Sequence, residues 1–232
     1  MSENTRTTLV LGATGRTGSL AVADLLAEGR GVVAYVRRPE AVEPADGLTV
    51  VGGQLDDGAA MTAAAAGCDS ILVALGMRGM DFSASEVMAG RPAPEGRAPV
   101  IMMAMPSIIA AAKANGIRRV VVLSALGVGV TIDNSIFTAE QMAGTPLAPV
   151  YCDHENGESL LRASGLDWTT VHPGFLTDGP ATARPMVFDA ASGRKLTGFA
   201  ATSRADLAAV LVHSLDDPDA VCKQLVMMSE AE

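Results

Sequence analysis

From Thr7 to Gly12 the chain is apolar without alternation and ends on glycine, and Gly15 to Gly29 then sets Leu20, Ala23, Leu25 and Leu26 at helical spacing. The pattern predicts a buried strand, a turn and a helix. The same reading gives strands over Gly31 to Val36, Leu48 to Val51, Ser70 to Leu75 and Val120 to Ser124, with an alanine-rich helix over Asp57 to Ala66. A further helix ends in AAAKANG, where Gly116 stands at a C-cap position. Pro106 falls within that helical pattern, so the helix either starts near Pro106 or is kinked there, an interior proline costing roughly 3 kcal/mol. Tyr151 to Ser164 reads as helix and Leu166 to Val171 as strand. Arg204 to Leu215 reads as an amphipathic helix with Thr202 and Ser203 in its N-cap region, and QLVMMS as a last strand.

Strands without alternation, each followed by a helix, imply a parallel sheet covered on both faces. The expected fold is therefore α/β, a doubly wound sheet of Rossmann type. No repeat, low-complexity tract or linker divides the sequence, so one domain over residues 1–232 is expected. Two long segments rich in Gly and Pro, Gly76 to Pro99 and Leu126 to Pro149, follow strands and should emerge at the carboxyl edge, where open α/β sheets bind ligands. With a third stretch over residues 173–200, they are the expected substrate-side loops.

Charge and cysteine content narrow the class. A formal net charge of -9 excludes a general nucleic-acid binder, whose affinity comes from Lys and Arg neutralising phosphates. The three cysteines, Cys68, Cys152 and Cys222, are far apart and odd in number, which suggests neither a disulfide framework nor a zinc site and fits a reducing compartment. No apolar run approaches the roughly 18 residues of a membrane span. A cytoplasmic protein acting on a small molecule, as monomer or homodimer and without a metal, is the expectation.

The segment GATGRTG places Gly12, Gly15 and Gly18 between a strand and a helix. A tight turn followed by a helix N-terminus lets backbone amides approach a pyrophosphate where no Cβ intervenes. Thr14, Arg16 and Thr17 belong to the same turn. At the end of the second strand an acidic residue would accept from a ribose diol, whereas a basic one pairs with a 2′-phosphate. Arg37 and Arg38 stand there, and arginine's planar fork suits phosphate, so NADP(H) is the expected cofactor. Typical short-chain dehydrogenases also carry a Tyr-x-x-x-Lys pair. Here the only tyrosines are Tyr35 and Tyr151, and Glu155 occupies the lysine position after Tyr151.

GATGRTG, YVRRP, VVVLSALG, DHENGESLLRASGLDWTTVHPGFLTD and TSRADLAAVLVHSL together resemble the atypical short-chain dehydrogenases that include NmrA-like proteins and the biliverdin-IXβ reductase/flavin reductase family. The resemblance covers nearly the whole chain. It implies NADPH at the carboxyl edge and hydride transfer to a flavin, quinone or enone-like acceptor. By that resemblance Ser124 and His154 fall on active-site positions, with Asp153 carried along before His154. Pro173, Gly174 and Phe175 lie along the nicotinamide, and Leu75 and Gly76 belong to the cofactor site. His172 occupies a place where many relatives have arginine, and Gly52-Gly53-Gln54 replaces the Gly-Asp that many have after the third strand. Two other functions remain open: a tailoring reductase or dehydratase of a secondary pathway, and a redox sensor of NmrA type that binds the dinucleotide without turnover.

Overall fold

The computed structural model describes residues 6–77, 84–89, 98–182, 184–196, 198 and 201–229. The opening strand β1 (Thr7–Leu11) buries both faces: Leu9 and Leu11 join the core cluster on one side of the sheet and Val10 the cluster on the other. This two-sided burial accounts for the unalternating apolar run. After β1 come α1 (Arg16–Ala27), β2 (Gly31–Val36), β3 (Leu48–Gly52), α2 (Gly58–Ala64), β4 (Ser70–Val73) and the short α3 (Ala84–Met88). Next are α4 (Ile101–Ala114), β5 (Arg119–Leu123), α5 (Ala139–Ala143), α6 (Ala148–Arg162), β6 (Asp167–Pro173) and β7 (Phe175–Thr177). The chain continues through β8 (Met186–Asp189), β9 (Ala201–Ser203), α7 (Arg204–Ser214) and β10 (Lys223–Met228).

The main sheet has the order β3-β2-β1-β4-β5-β6-β10-β8. All neighbours are parallel except β8, which runs antiparallel to β10 with Val187 opposite Met227. Helices α1 and α7 pack together on one face, while α2, α4 and α6 cover the other. Strand order reverses between β1 and β4, so the crevice above their carboxyl ends is the topological switch point at which such sheets bind ligands.

Sequence pattern and structure differ in three places. The helix α4 starts five residues before Pro106 and runs through it to Ala114. Its start is set from outside by Asp153 on α6, whose carboxylate accepts from the backbone N–H groups of Val100, Ile101 and Met102 at 2.8, 3.0 and 2.9 Å. Ile101, Met105 and Ile108 are fully buried, and each is worth roughly 1.5–3 kcal/mol, enough to outweigh one proline. The segment after β5 is ordered as a 3-10 turn (Gly129–Asn134) and α5, whose Thr138 and Gln141 form a capping box. The stretch after β6 contributes β7, β8 and β9; β7 and β9 form a separate parallel pair, and β8 adds the antiparallel edge. Of the segment from Gly76 to Pro99, residues 78–83 and 90–97 lie outside the described residues.

Candidate active site

At the switch point the glycine turn is held by close backbone approach. A Cβ on Gly12, whose φ is +87°, would stand 2.3 Å from the Ala74 carbonyl oxygen, and one on Gly18 would stand 2.1 Å from the Gly12 oxygen. Only glycine fits either place. Gly15 is the N-cap of α1 and supplies no side-chain cap, and no acidic residue occupies the first turn, so the amides and dipole at this helix start suit an anion. Thr17 is buried and Thr14 exposed. Leu11 lies opposite Tyr35 in β2, so the exposed Arg37 and Arg38 sit one strand across from Gly12, just past the strand end. Just past the end of β3 a Cβ at Gly53 would meet the Tyr35 hydroxyl at 2.0 Å, and that hydroxyl donates to the Gln54 carbonyl at 2.9 Å. The Tyr35 ring thus explains the glycine at position 53. A pyrophosphate-bearing dinucleotide fits this cradle.

Beside it a cleft of about 380 Å³ opens along the carboxyl ends of β4, β5 and β6. Arg16, Leu75, Gly76, Ser124, His154, Pro173, Gly174 and Phe175 all line it. The structure thus brings the expected acceptor-side residues together with one member of the glycine turn. Gly12, Thr14, Gly15, Thr17 and Gly18, with Arg37 and Arg38, lie outside this lining, along the cradle. The segment from Pro173 to Phe175 is fixed through its backbone: Leu126 N–H donates to the Pro173 oxygen at 2.9 Å, and Gly174 N–H donates to the Thr202 side-chain Oγ1 at 3.1 Å.

The polar groups of the cleft are unevenly supported. The Ser124 hydroxyl shares a hydrogen bond with Glu158 Oε1 on α6. His154, one turn earlier on α6 and 4 % exposed, keeps its Nδ1 buried with no partner among the described residues. Burial lowers the His154 pKa, so the ring is neutral near neutral pH and is a poor proton source. Burial raises the Tyr151 pKa, which removes it from the acid-base role that a lysine-assisted tyrosine plays. His172 lies outside the cleft lining: it is fully buried, with Nδ1 3.0 Å from the Ala125 carbonyl and Nε2 2.8 Å from the Thr170 hydroxyl.

Four site residues were given no role of their own by the sequence reading, although Asp178 closes the segment expected along the nicotinamide. Asp178 pairs with Arg16 at 3.1 Å and with the nearly buried Arg204 at 2.6 Å, and all three line the cleft. Their positions span three distant segments, so no local pattern could have joined them. Glu158 was legible in principle, because it stands four residues after His154 on one helix face. Tyr151 is the fourth, a cleft-wall residue seen in the sequence only as a tyrosine without its lysine.

The fold and the glycine cradle define a Rossmann-type nucleotide-binding protein. Comparison with known proteins makes this more specific: the chain matches the family model described as NAD(P)H-binding over residues 12–218 and belongs to that family. An uncharacterised chloroplastic protein of Arabidopsis thaliana is 28 % identical over 97 % of this chain and 70 % of its own length. Among solved structures, ChuY, an anaerobilin reductase of Escherichia coli O157:H7, superposes with TM-score 0.73 at 22 % identity, covering 97 % of this chain and 98 % of its own. A short-chain dehydrogenase/reductase of Veillonella parvula, in complex with NADP, gives TM-score 0.75 at 16 % identity over 97 % and 95 % of the two chains. These likenesses carry the fold. No helix among the described residues is long and apolar enough to cross a membrane.

Proposed function

We propose that the protein is a cytosolic NADPH-dependent reductase of a flavin, quinone or enone-like acceptor. The observation that carries this reading is the convergence of Arg16, Ser124, His154 and Pro173 to Phe175 on one cleft beside the glycine cradle. Gly12, Thr14, Gly15, Thr17 and Gly18 would receive the pyrophosphate, assisted by Arg16, while Arg37 and Arg38 would take a 2′-phosphate. Leu75, Gly76 and the segment from Pro173 to Phe175 would flank the nicotinamide. When bound, the reduced nicotinamide supplies the hydride. Ser124 holds the acceptor oxygen and the neutral His154 offers it a hydrogen bond, so catalysis rests mainly on positioning. A conjugated acceptor needs less acid assistance than a simple ketone, which suits a site without the Tyr-x-x-x-Lys pair.

The test is oxidation of NADPH against NADH with FMN, riboflavin and a panel of quinones and enones. Turnover should favour NADPH, and the double variant Arg37→Ser/Arg38→Ser should lose that preference. Ser124→Ala should lower kcat about 100-fold. Tight NADPH binding without oxidation of any acceptor would instead point to a sensor.

A further inference from the structure

Glu158 is completely buried beneath the cleft, yet among the described residues no cation serves it alone. Arg162 lies 3.3 Å from Glu158 Oε2 but pairs more closely with Glu155, at 2.7 Å, so a single guanidinium serves two carboxyl groups. On the sheet side Gln224 of β10 lies 3.4 Å and His172 of β6 3.8 Å from the same oxygen. Burial lowers the His172 pKa to about 4, so the ring is neutral at pH 7 and brings no charge; its Nδ1 donates to the Ala125 carbonyl, which leaves Nε2 to accept from Thr170. His154 on α6 completes the surroundings and is also neutral at pH 7. A buried carboxylate with half a counter-ion is costly, whereas the acid form is not. Burial accordingly raises the Glu158 pKa. Ser124, in hydrogen bond with Oε1, lines the cleft, while Glu158 does not.

We propose that Glu158 is the proton store of this site and Ser124 Oγ the relay through which its proton reaches the acceptor. With Glu158 in the acid form, its O–H donates to Ser124 Oγ and frees the serine hydroxyl to face the cleft. When hydride adds to a carbon of the acceptor's conjugated system, the displaced electron pair moves to the carbonyl oxygen. That oxygen takes the Ser124 proton, Ser124 takes the Glu158 proton, and Glu158 is left as carboxylate until water reprotonates it after product leaves. The buried pair takes the place of the absent tyrosine and lysine. Glu158 touches no substrate and acts only through Ser124.

This inference rests on the reductase reading, and its test separates the two. Infrared titration of the cofactor-free protein should show a protonated carboxyl C=O band at pH 7 that disappears in Glu158→Gln; a spectrum without that band overturns the proton store whatever the enzyme does. With an acceptor that turns over, wild-type kcat should fall as pH rises through the titration of that band. Glu158→Gln should be about 100-fold slower and lose this alkaline limb, while NADPH affinity stays within about threefold and circular dichroism stays native. Glu158→Asp should recover part of the rate together with the limb. A Glu158→Gln enzyme with wild-type kcat and pH profile overturns the relay even if the band is present. If NADPH binds and no acceptor is reduced, the reductase reading fails and the relay falls with it, while the band still reports the state of Glu158.

Discussion

His172 places an acid-sensitive group in the middle of the sheet. Burial lowers its pKa to about 4 from an ordinary value near 6.5. Between those values the unfolded chain binds a proton that the folded protein refuses, so stability falls as pH drops through this window. The loss by pH 4 should be on the order of 3 kcal/mol. Urea unfolding at several pH values checks this: His172→Asn should flatten the decline between pH 6.5 and 4, and an unchanged slope would remove His172 as its cause. Glu158 works in the opposite sense, since its raised pKa gives stability that is present below the ordinary carboxyl range and lost as pH rises through the folded value. In the sequence His172 is visible only as a departure from arginine. Its neutral state comes from burial within the folded sheet, and its bond to the Ala125 carbonyl from the segment after β5 lying beside β6, whereas Thr170 is its neighbour on the same strand.

The helix α6 ties the site to the scaffold. Asp153 caps α4, the next residue His154 enters the cleft, and Glu158 follows one turn later beneath Ser124. Between them Gly157 lets the helices touch: a Cβ there would stand 2.5 Å from Ile101 Cγ2 and 3.1 Å from the Ile101 backbone carbon. The cap and the contact position α6, and therefore His154 and Glu158, against the sheet. Asp153→Ala leaves three N–H groups of α4 without their acceptor and should cost about 2 kcal/mol of unfolding free energy in urea. Asp153 stood in the sequence only as the neighbour of a candidate catalytic residue, because a cap supplied by a different helix leaves no local spacing to read. The capping box at Thr138 and Gln141 is the opposite case: its signal lies within four residues and could have been found.

At the scale of the whole molecule, the approach of β1 to β4 decides whether the cradle exists. Gly12→Ala forces a side chain onto a positive φ and against the Ala74 carbonyl. It should lower stability by about 2 kcal/mol and weaken NADPH binding at least about tenfold, measured by urea unfolding and by nicotinamide fluorescence. The sequence alone determined the parallel core, the glycine turn and the family, because two-sided burial and close backbone approach leave local marks in apolar runs and glycine spacing. It also named Ser124 and His154 by resemblance. The tertiary structure decided the partnerships: Glu158 beneath Ser124, an Arg162 shared by two carboxyl groups, an α1 without a side-chain cap, Asp178 between Arg16 and Arg204, and the antiparallel β8 at the sheet edge. Charge state and partnership depend on burial and on neighbours from distant segments, so only the folded chain brings them into being.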